Sequence, residues 1–249
     1  MEGSTYMEEI FIPSHGRRLS TVIHTPTGDA KPYVFVMCHG FRGSKDGGGK
    51  AVRMAELAAE AGYTTVRFDF TPLMPLSAQV EELRDVLAYV RERFGLPIIG
   101  MGRSMGGCAL AVCAQDEKDI VGCCFWAMPN SLTVTMKRAL GEYYEELMTK
   151  GRIEVHDLYG DMVLERSFWD DLAPYDMNDV LRAISNMPVI FIHGTKDDIV
   201  LVEEGKANHD VYGGEKEWYA VDGADHHIAL RIEETQAKLL AWMIEHFPA

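Results

Sequence analysis

The chain has 249 residues, of which 47% are hydrophobic and 25% are charged, and its formal net charge at pH 7 is −14. This composition is typical of a globular protein, and the length fits one large α/β domain or two small ones. The negative charge argues against nucleic acid or an anionic membrane surface as a partner, because both require basic patches.

The first predicted element is an antiparallel hairpin at a sheet edge, which covers residues 8–25 around a turn at 14–17. A continuous apolar run at 33–38 follows, the pattern of a strand buried on both faces. The next predicted elements are a helix at 50–61 ended by a glycine, a strand at 64–70, a proline-broken loop, and a helix at 78–94 that also ends at a glycine.

Strands and helices continue to alternate in the second half of the chain. The predicted order is a strand at 97–100, a glycine-lined corner, a helix at 105–114, a strand at 121–128, a long insertion, a strand at 189–193, a helix at 203–211, a strand at 217–221 and a helix at 228–247. This alternation predicts an α/β fold with a mostly parallel sheet and helices on both faces. Binding residues in such folds lie in loops at the carboxyl ends of strands.

Five cysteines lie in or beside apolar segments: Cys38, Cys108, Cys113, Cys123 and Cys124. Their number is odd and they form no C-x-x-C pair, so we expect reduced, buried thiols, a cytoplasmic location and no metal site. The acidic first residues have no apolar signal core, and no apolar run approaches the roughly 18 residues of a spanning helix. We therefore expect neither a secretion signal nor a membrane segment.

The glycine-lined corner reads GMGRSMGG and has Ser104 at its centre. A nucleophile elbow is a strand, a tight turn and a helix with the serine at the apex, and it needs small residues two positions on either side. Gly102 and Gly106 occupy those positions. The alternative interpretation is a flexible glycine turn with an incidental serine.

A serine hydroxyl needs a base to take its proton and a third group to orient that base. His226 lies in the loop before the last helix, although a polar loop with incidental histidines, or a helix cap formed by Asp225, would give the same letters. For the orienting acid, Asp197 and Asp198 both follow the strand at 189–193, and either could serve. A helix cap is the alternative role for these aspartates.

An acyl-transfer site also needs donors for the oxyanion of the tetrahedral intermediate. The backbone N–H of Met105, directly after Ser104, is one candidate. The glycine-rich loop at 39–47 offers the second, and we select the N–H of Phe41. A phosphate cradle is the competing interpretation of this loop, but the loop lacks the spacing of a P-loop or a dinucleotide site.

Four motifs together resemble the α/β-hydrolase superfamily over about residues 31–247: HGFRGSKDG, GRSMGG, HGTKDDIV and GADHHI. Within it, the chain resembles small bacterial carboxylesterases of the cinnamoyl/feruloyl esterase type and related lysophospholipase-like or serine-aminopeptidase-like hydrolases. The resemblance implies an order of Ser104, Asp197 and His226 along the chain. It selects Asp197 over Asp198, supports His226 over the adjacent His227, and implies oxyanion donors at Phe41 and Met105.

Two positions depart from the pattern of these relatives. Residues 71–76 form a short apolar loop (TPLMPL) where relatives have a glycine- and serine-containing loop, and Arg103 stands where histidine or glutamine is more familiar. Both departures bear on the substrate and leave the predicted triad intact.

The insertion at 129–187 is rich in aromatic residues and methionines, and Leu140, Tyr143, Tyr144 and Leu147 have helical spacing. Packing on the core explains such a pattern, and a small cap over Ser104 explains it as well. We expect a single domain over 1–249 with this insertion as its cap. The expected pocket residues are Leu73, Met74, Leu76, Trp126, Tyr143, Phe168 and Trp169.

These observations predict a serine carboxylic-ester hydrolase that acts through an acyl-enzyme on short-chain or aromatic acyl esters. The alternatives are a peptidase or lysophospholipase-like hydrolase with the same triad, and a non-catalytic binding protein on the same fold. We expect a small-molecule ester as the partner, no nucleic acid or membrane, no cofactor and no metal, and a monomer or homodimer.

Overall fold

The computed structural model describes residues 5–26, 28–157, 160–184 and 187–249. Its strands are β1 (Thr5–Ser14), β2 (Arg17–Pro26), β3 (Val34–Cys38), β4 (Thr64–Phe68), β5 (Ile98–Arg103), β6 (Ile120–Trp126), β7 (Arg152–Asp157), β8 (Gly160–Glu165), β9 (Val189–Gly194) and β10 (Lys216–Val221). Its α-helices are α1 (Lys50–Glu60), α2 (Leu76–Phe94), α3 (Met105–Ala114), α4 (Leu132–Leu140), α5 (Tyr143–Lys150), α6 (Arg166–Leu172), α7 (Met177–Ala183), α8 (Val202–Val211) and α9 (Ile232–His246).

Eight strands form the central sheet in the order β1-β2-β4-β3-β5-β6-β9-β10. The β1–β2 and β2–β4 pairs are antiparallel, and the remaining neighbours are parallel. The predicted hairpin is present at the sheet edge, and its two-residue turn has positive φ at both His15 and Gly16. Such a turn matches the twist of the strands that it joins.

Alternate residues of a strand point to opposite faces of the sheet, and the core divides accordingly. Val34 and Val36 of β3 belong to the cluster that contains residues of α2 and α3, whereas Phe35 and Met37 belong to the cluster with α1 and α9. Every residue of β3 is buried. The predicted fold class, a mostly parallel sheet flanked by helices, is confirmed.

The predicted strand at 97–100 is three residues too short, because β5 continues to Arg103 and pairs there with Trp126 of β6. Its glycines suggested a turn, but they serve close packing: a Cβ atom on Gly100 would lie 2.6 Å from a Leu110 methyl carbon. The last helix begins at Ile232, not at 228, because Ile228 has φ +50 and packs in the core ahead of a short 3₁₀ turn.

The insertion between β6 and β9 contains α4, α5, the antiparallel β7–β8 hairpin, α6 and α7. The predicted helical run from Leu140 to Leu147 is interrupted by Gly141, whose φ of +53 and ψ of −123 glycine adopts without the strain that a side chain would add. The hairpin was not predicted, although its strands alternate exposed and buried residues. Within the ranges given above, no helix is long and apolar enough to cross a membrane, and all five cysteines are buried and free.

Candidate active site

Ser104 occupies the sharp corner between β5 and α3, with φ 50 and ψ −126. Its N–H donates to the Trp126 carbonyl at 2.8 Å, and its own carbonyl accepts from the Gly107 N–H at 2.8 Å. A non-glycine residue at positive φ is strained, and such strain is found mainly where the surrounding structure holds a functional side chain in place. The corner presents the Ser104 side chain to a cavity.

Glycines permit the close approach of three backbone segments at this corner. A Cβ atom on Gly102 would lie 2.5 Å from the Gly107 Cα, and one on Gly106 would lie 2.2 Å from the His39 carbonyl oxygen. On the facing loop, a Cβ atom on Gly40 would lie 2.9 Å from the Ser104 Cβ. Gly102 and Gly106 therefore allow the close backbone packing that a nucleophile elbow requires.

Asp197 and His226 come from the loops after β9 and β10 and form a buried pair. The Nδ1–H of His226 donates to Asp197 Oδ2 at 2.7 Å. The other carboxylate oxygen, Oδ1, accepts the backbone N–H groups of Ile199 and Val200 at 3.0 and 2.9 Å. With Nδ1 protonated, His226 has Nε2 free to accept a proton. Asp198, the alternative acid, is exposed.

The charge of Asp197 is stabilised by its neighbours. Burial raises the pKa of Asp197, but hydrogen bonds from His193, His226 and the Val200 N–H outweigh burial, and the pKa lies well below its usual value. His193 Nε2 lies 3.4 Å from Asp197 Oδ2 and donates to the Val200 carbonyl at 2.8 Å. Sequence reasoning missed His193, although its place at the end of β9, four residues before Asp197, is a signal for such a contact.

Ser104 and His226 line the same cavity. Within the described ranges no hydrogen bond joins the Ser104 hydroxyl to the His226 ring. Contacts of this kind are often long in a free enzyme and close only in the complex with substrate.

Phe41 and Met105, whose backbone N–H groups are the expected oxyanion donors, line the same cavity as Ser104. Met105 is the first residue of α3, and Phe41 lies in a four-residue turn closed by the Gly43 N–H and the Gly40 carbonyl at 2.9 Å. Apart from regular helix and strand ladders, neither N–H donates to another group in the described part of the chain. Both are therefore available to an oxyanion.

His39 fixes the loop that carries Phe41. Its Nδ1 donates to the Gly40 carbonyl at 2.8 Å, and its Nε2 accepts the Phe70 N–H at 3.0 Å. Burial lowers the pKa of His39, which favours the neutral ring that these two contacts require. The loops after β3 and β4 are thus joined through one imidazole.

The cavity has a volume of about 1010 Å³. Its walls include residues of the insertion and of the loops at the carboxyl ends of the parallel strands, which we call the strand-end loops. Of the expected pocket residues, Trp126 and Tyr143 line it, and Leu73, Met74, Leu76, Phe168 and Trp169 do not. The insertion also contributes methionine and aliphatic side chains that are not among the expected pocket residues, namely Leu132, Met136, Leu140, Val155 and Met162. For Val155 and Met162, the alternation in β7 and β8 is the signal that could have found them.

Packing explains why the five other residues lie elsewhere. Leu76 is fully buried at the start of α2, and Leu73 packs against the core. The sulfur of Met74 accepts from the Arg17 guanidinium at 3.7 Å. Phe168 packs against Phe41 and Trp169 against Tyr144 in tilted ring pairs, with centroids 5.2 and 5.0 Å apart.

One ion pair ties the insertion to the loop that carries Phe41. The Arg42 guanidinium donates to both carboxylate oxygens of Asp157 at 2.7 and 2.9 Å, and to the Gly160 carbonyl at 2.7 Å. Bidentate pairs of this kind fix geometry as well as charge. The β7–β8 hairpin is therefore held over the same loop that offers the Phe41 N–H.

No protein-family model matches this chain, and no curated protein matches it in sequence. Among solved structures, the fold is similar to Est1E from Butyrivibrio proteoclasticus (TM-score 0.80, 20% identity, 97% of this chain and 99% of that chain). It is also similar to the esterase domain of a Rhodothermus marinus protein (0.77, 20%, 97% and 99%) and to the α/β hydrolase GrgF from Penicillium sp. sh18 (0.76, 15%, 98% and 100%). The chain has the α/β-hydrolase fold.

Proposed function

We propose that this protein is a serine hydrolase that cleaves carboxylic esters through an acyl-enzyme. The observation that carries the proposal is the buried Asp197–His226 pair, whose histidine lines the same cavity as Ser104. In this proposal Ser104 is the nucleophile, His226 the general base and Asp197 the group that orients His226.

The proposed reaction follows from the positions of these groups. His226 Nε2 takes the proton of the Ser104 hydroxyl while Oγ attacks the ester carbonyl carbon, and the N–H groups of Phe41 and Met105 stabilise the oxyanion. The tetrahedral intermediate collapses, the C–O bond to the alcohol breaks, and the protonated His226 gives its proton to the leaving alcohol. Water, activated by His226, then attacks the acyl-enzyme and releases the acid with Ser104 restored.

We further propose a short-chain or aromatic acyl group for the substrate. The apolar cavity wall supports this choice, and so does the fold's likeness to a structure described as ferulic acid bound to Est1E from Butyrivibrio proteoclasticus (TM-score 0.79, 18% identity, 96% of this chain and 100% of that chain). A cytoplasmic location stays a prediction from the sequence.

The test is the hydrolysis of p-nitrophenyl acetate and methyl ferulate by the wild type, Ser104→Ala and Ser44→Ala. Ser44 lines the same cavity and provides the matched control. We expect Ser104→Ala to lower kcat by at least about 10⁴-fold, because the nucleophile is removed, and Ser44→Ala to stay within about threefold of the wild type.

Other results would favour the alternatives. Faster cleavage of an aminoacyl-p-nitroanilide than of every ester would make the protein a peptidase, and activity on long-chain esters alone would make it lysophospholipase-like. Ester hydrolysis that is absent, or that Ser104→Ala leaves unchanged, would contradict the proposal.

A further inference from the structure

Two cationic side chains, Lys50 and Arg103, lie together on the wall of the cavity that Ser104 lines. Lys50 Nζ donates to the His227 carbonyl at 3.0 Å, and Arg103 Nη2 donates to the His226 carbonyl at 2.9 Å. The two cations thus converge on adjacent backbone carbonyls of one loop. Burial and the nearby charge of Arg103 lower the pKa of Lys50, with the charge of Asp225 acting in the opposite direction.

Two further cations that line this cavity, Arg42 and Lys45, each have a carboxylate in direct contact. Arg42 pairs with Asp157 at 2.7 Å, and Lys45 pairs with Asp69 at 2.8 Å. Lys50 instead donates to a backbone carbonyl, which carries only a partial charge. Its positive charge therefore remains available to an anion that enters the cavity.

This cluster runs against the charge of the whole chain, which is −14. Like charges held close together repel one another, and the repulsion is stronger beside apolar walls than in bulk water. The attraction of a bound anion to both cations at once offsets that repulsion. The arrangement therefore suits a ligand with a negative charge.

We propose that Lys50 and Arg103 form a subsite for a carboxylate, so that the preferred ester carries a second, ionised carboxyl group. The inference rests on the proposed ester hydrolysis at Ser104 and names the substrate class of that site. Half-esters of dicarboxylic acids are the simplest members of this class.

The first test compares substrates that differ only in charge. The monomethyl esters of succinate, glutarate and adipate are each paired with the neutral analogue in which a primary amide replaces the carboxylate. We expect kcat/KM of the acid to exceed that of the amide by at least about fivefold at one or more chain lengths, and the excess to shrink in high salt. Equal or faster hydrolysis of the amide at every length would overturn the subsite.

Variants of α1 then test whether Lys50 causes the preference for the acid over the amide. Lys50→Met should lower the acid-to-amide ratio by about fivefold, and Lys50→Arg should retain most of it. Arg53→Met is the matched control, since Arg53 lies one turn further along the same helix, is exposed and does not line the cavity. An equal fall in Arg53→Met would show a general effect of net charge and would overturn the proposal.

A binding measurement separates this inference from the proposed function. Calorimetric titration of monomethyl glutarate into Ser104→Ala should give a Kd about fivefold weaker when Lys50→Met is added. If Lys50→Met weakens binding in this way but the wild type hydrolyses no ester, the carboxylate subsite is supported and the proposed ester hydrolysis is not. An unchanged Kd in a protein that does hydrolyse esters would overturn the subsite alone.

Discussion

The strand-end loops and the insertion face the same cavity, yet they are held by different interactions. The corner at Ser104 depends on backbone approach distances that exclude a single methyl group, and Asp197 depends on hydrogen bonds to fixed N–H groups. The insertion contributes methionine and aliphatic side chains, tied to the core by contacts such as the Arg42–Asp157 pair. The first region is held by close backbone contacts and hydrogen bonds, while the second forms an apolar wall of the cavity.

This difference predicts where substitutions act. Changes in the strand-end loops should affect the chemical step or the fold by large factors, because few alternative arrangements satisfy the same contacts. Changes in the insertion should shift preference among substrates by small factors, since an apolar wall discriminates weakly.

The largest effect is expected from the acid. Asp197→Asn should lower kcat/KM for p-nitrophenyl acetate by about 10⁴-fold, because the His226 ring loses the acceptor that fixes its tautomer. Asp198→Asn, one residue on and exposed, should stay within about threefold of the wild type. The reverse result would place the acid at Asp198 and contradict the assignment.

The next largest effect is expected where a methyl group is added at the Ser104 corner. Gly106→Ala should lower the free energy of unfolding by roughly 2–4 kcal/mol, because its Cβ would lie 2.2 Å from the His39 carbonyl oxygen, which is backbone and must move. Urea unfolding measures the change. Gly213→Ala is the control, since nothing lies within 4 Å of its added Cβ. Equal stability of the two variants would show that the close approach at the corner is not needed.

The smallest effect is expected in the insertion. Met136→Ala should raise the ratio of p-nitrophenyl octanoate to acetate hydrolysis by about fivefold, or about 1 kcal/mol, because it widens the cavity wall. Val134→Ala, on the same helix and 53% exposed, is the matched control. If the Met136 variant keeps the wild-type ratio, this wall does not contact the acyl chain.

The corner could be predicted from a local steric rule, whereas the acid–base pair needed the loop positions together with the resemblance that selects Asp197 over Asp198. A glycine two residues on either side of Ser104 has a steric meaning that does not depend on the rest of the fold. The loops that follow β9 and β10 necessarily meet at one edge of a parallel sheet, which brings Asp197 and His226 together.

The residues of the cavity wall could not be predicted from the sequence, because they depend on which side chains pack against each other. Phe168 and Trp169 are large and apolar, but they pack against Phe41 of the loop after β3 and against Tyr144 of the insertion, and neither lines the cavity. Met136 and Met162 reach it only because α4 and the β7–β8 hairpin lie over the strand-end loops. The spacing of residues along the chain does not encode that placement.

The most direct test of the central claim is labelling with a fluorophosphonate, followed by intact mass measurement and peptide mapping. We predict one adduct per chain, located on Ser104, absent in Ser104→Ala and formed much more slowly in His226→Ala. An adduct on another residue, or undiminished labelling of Ser104→Ala, would contradict it.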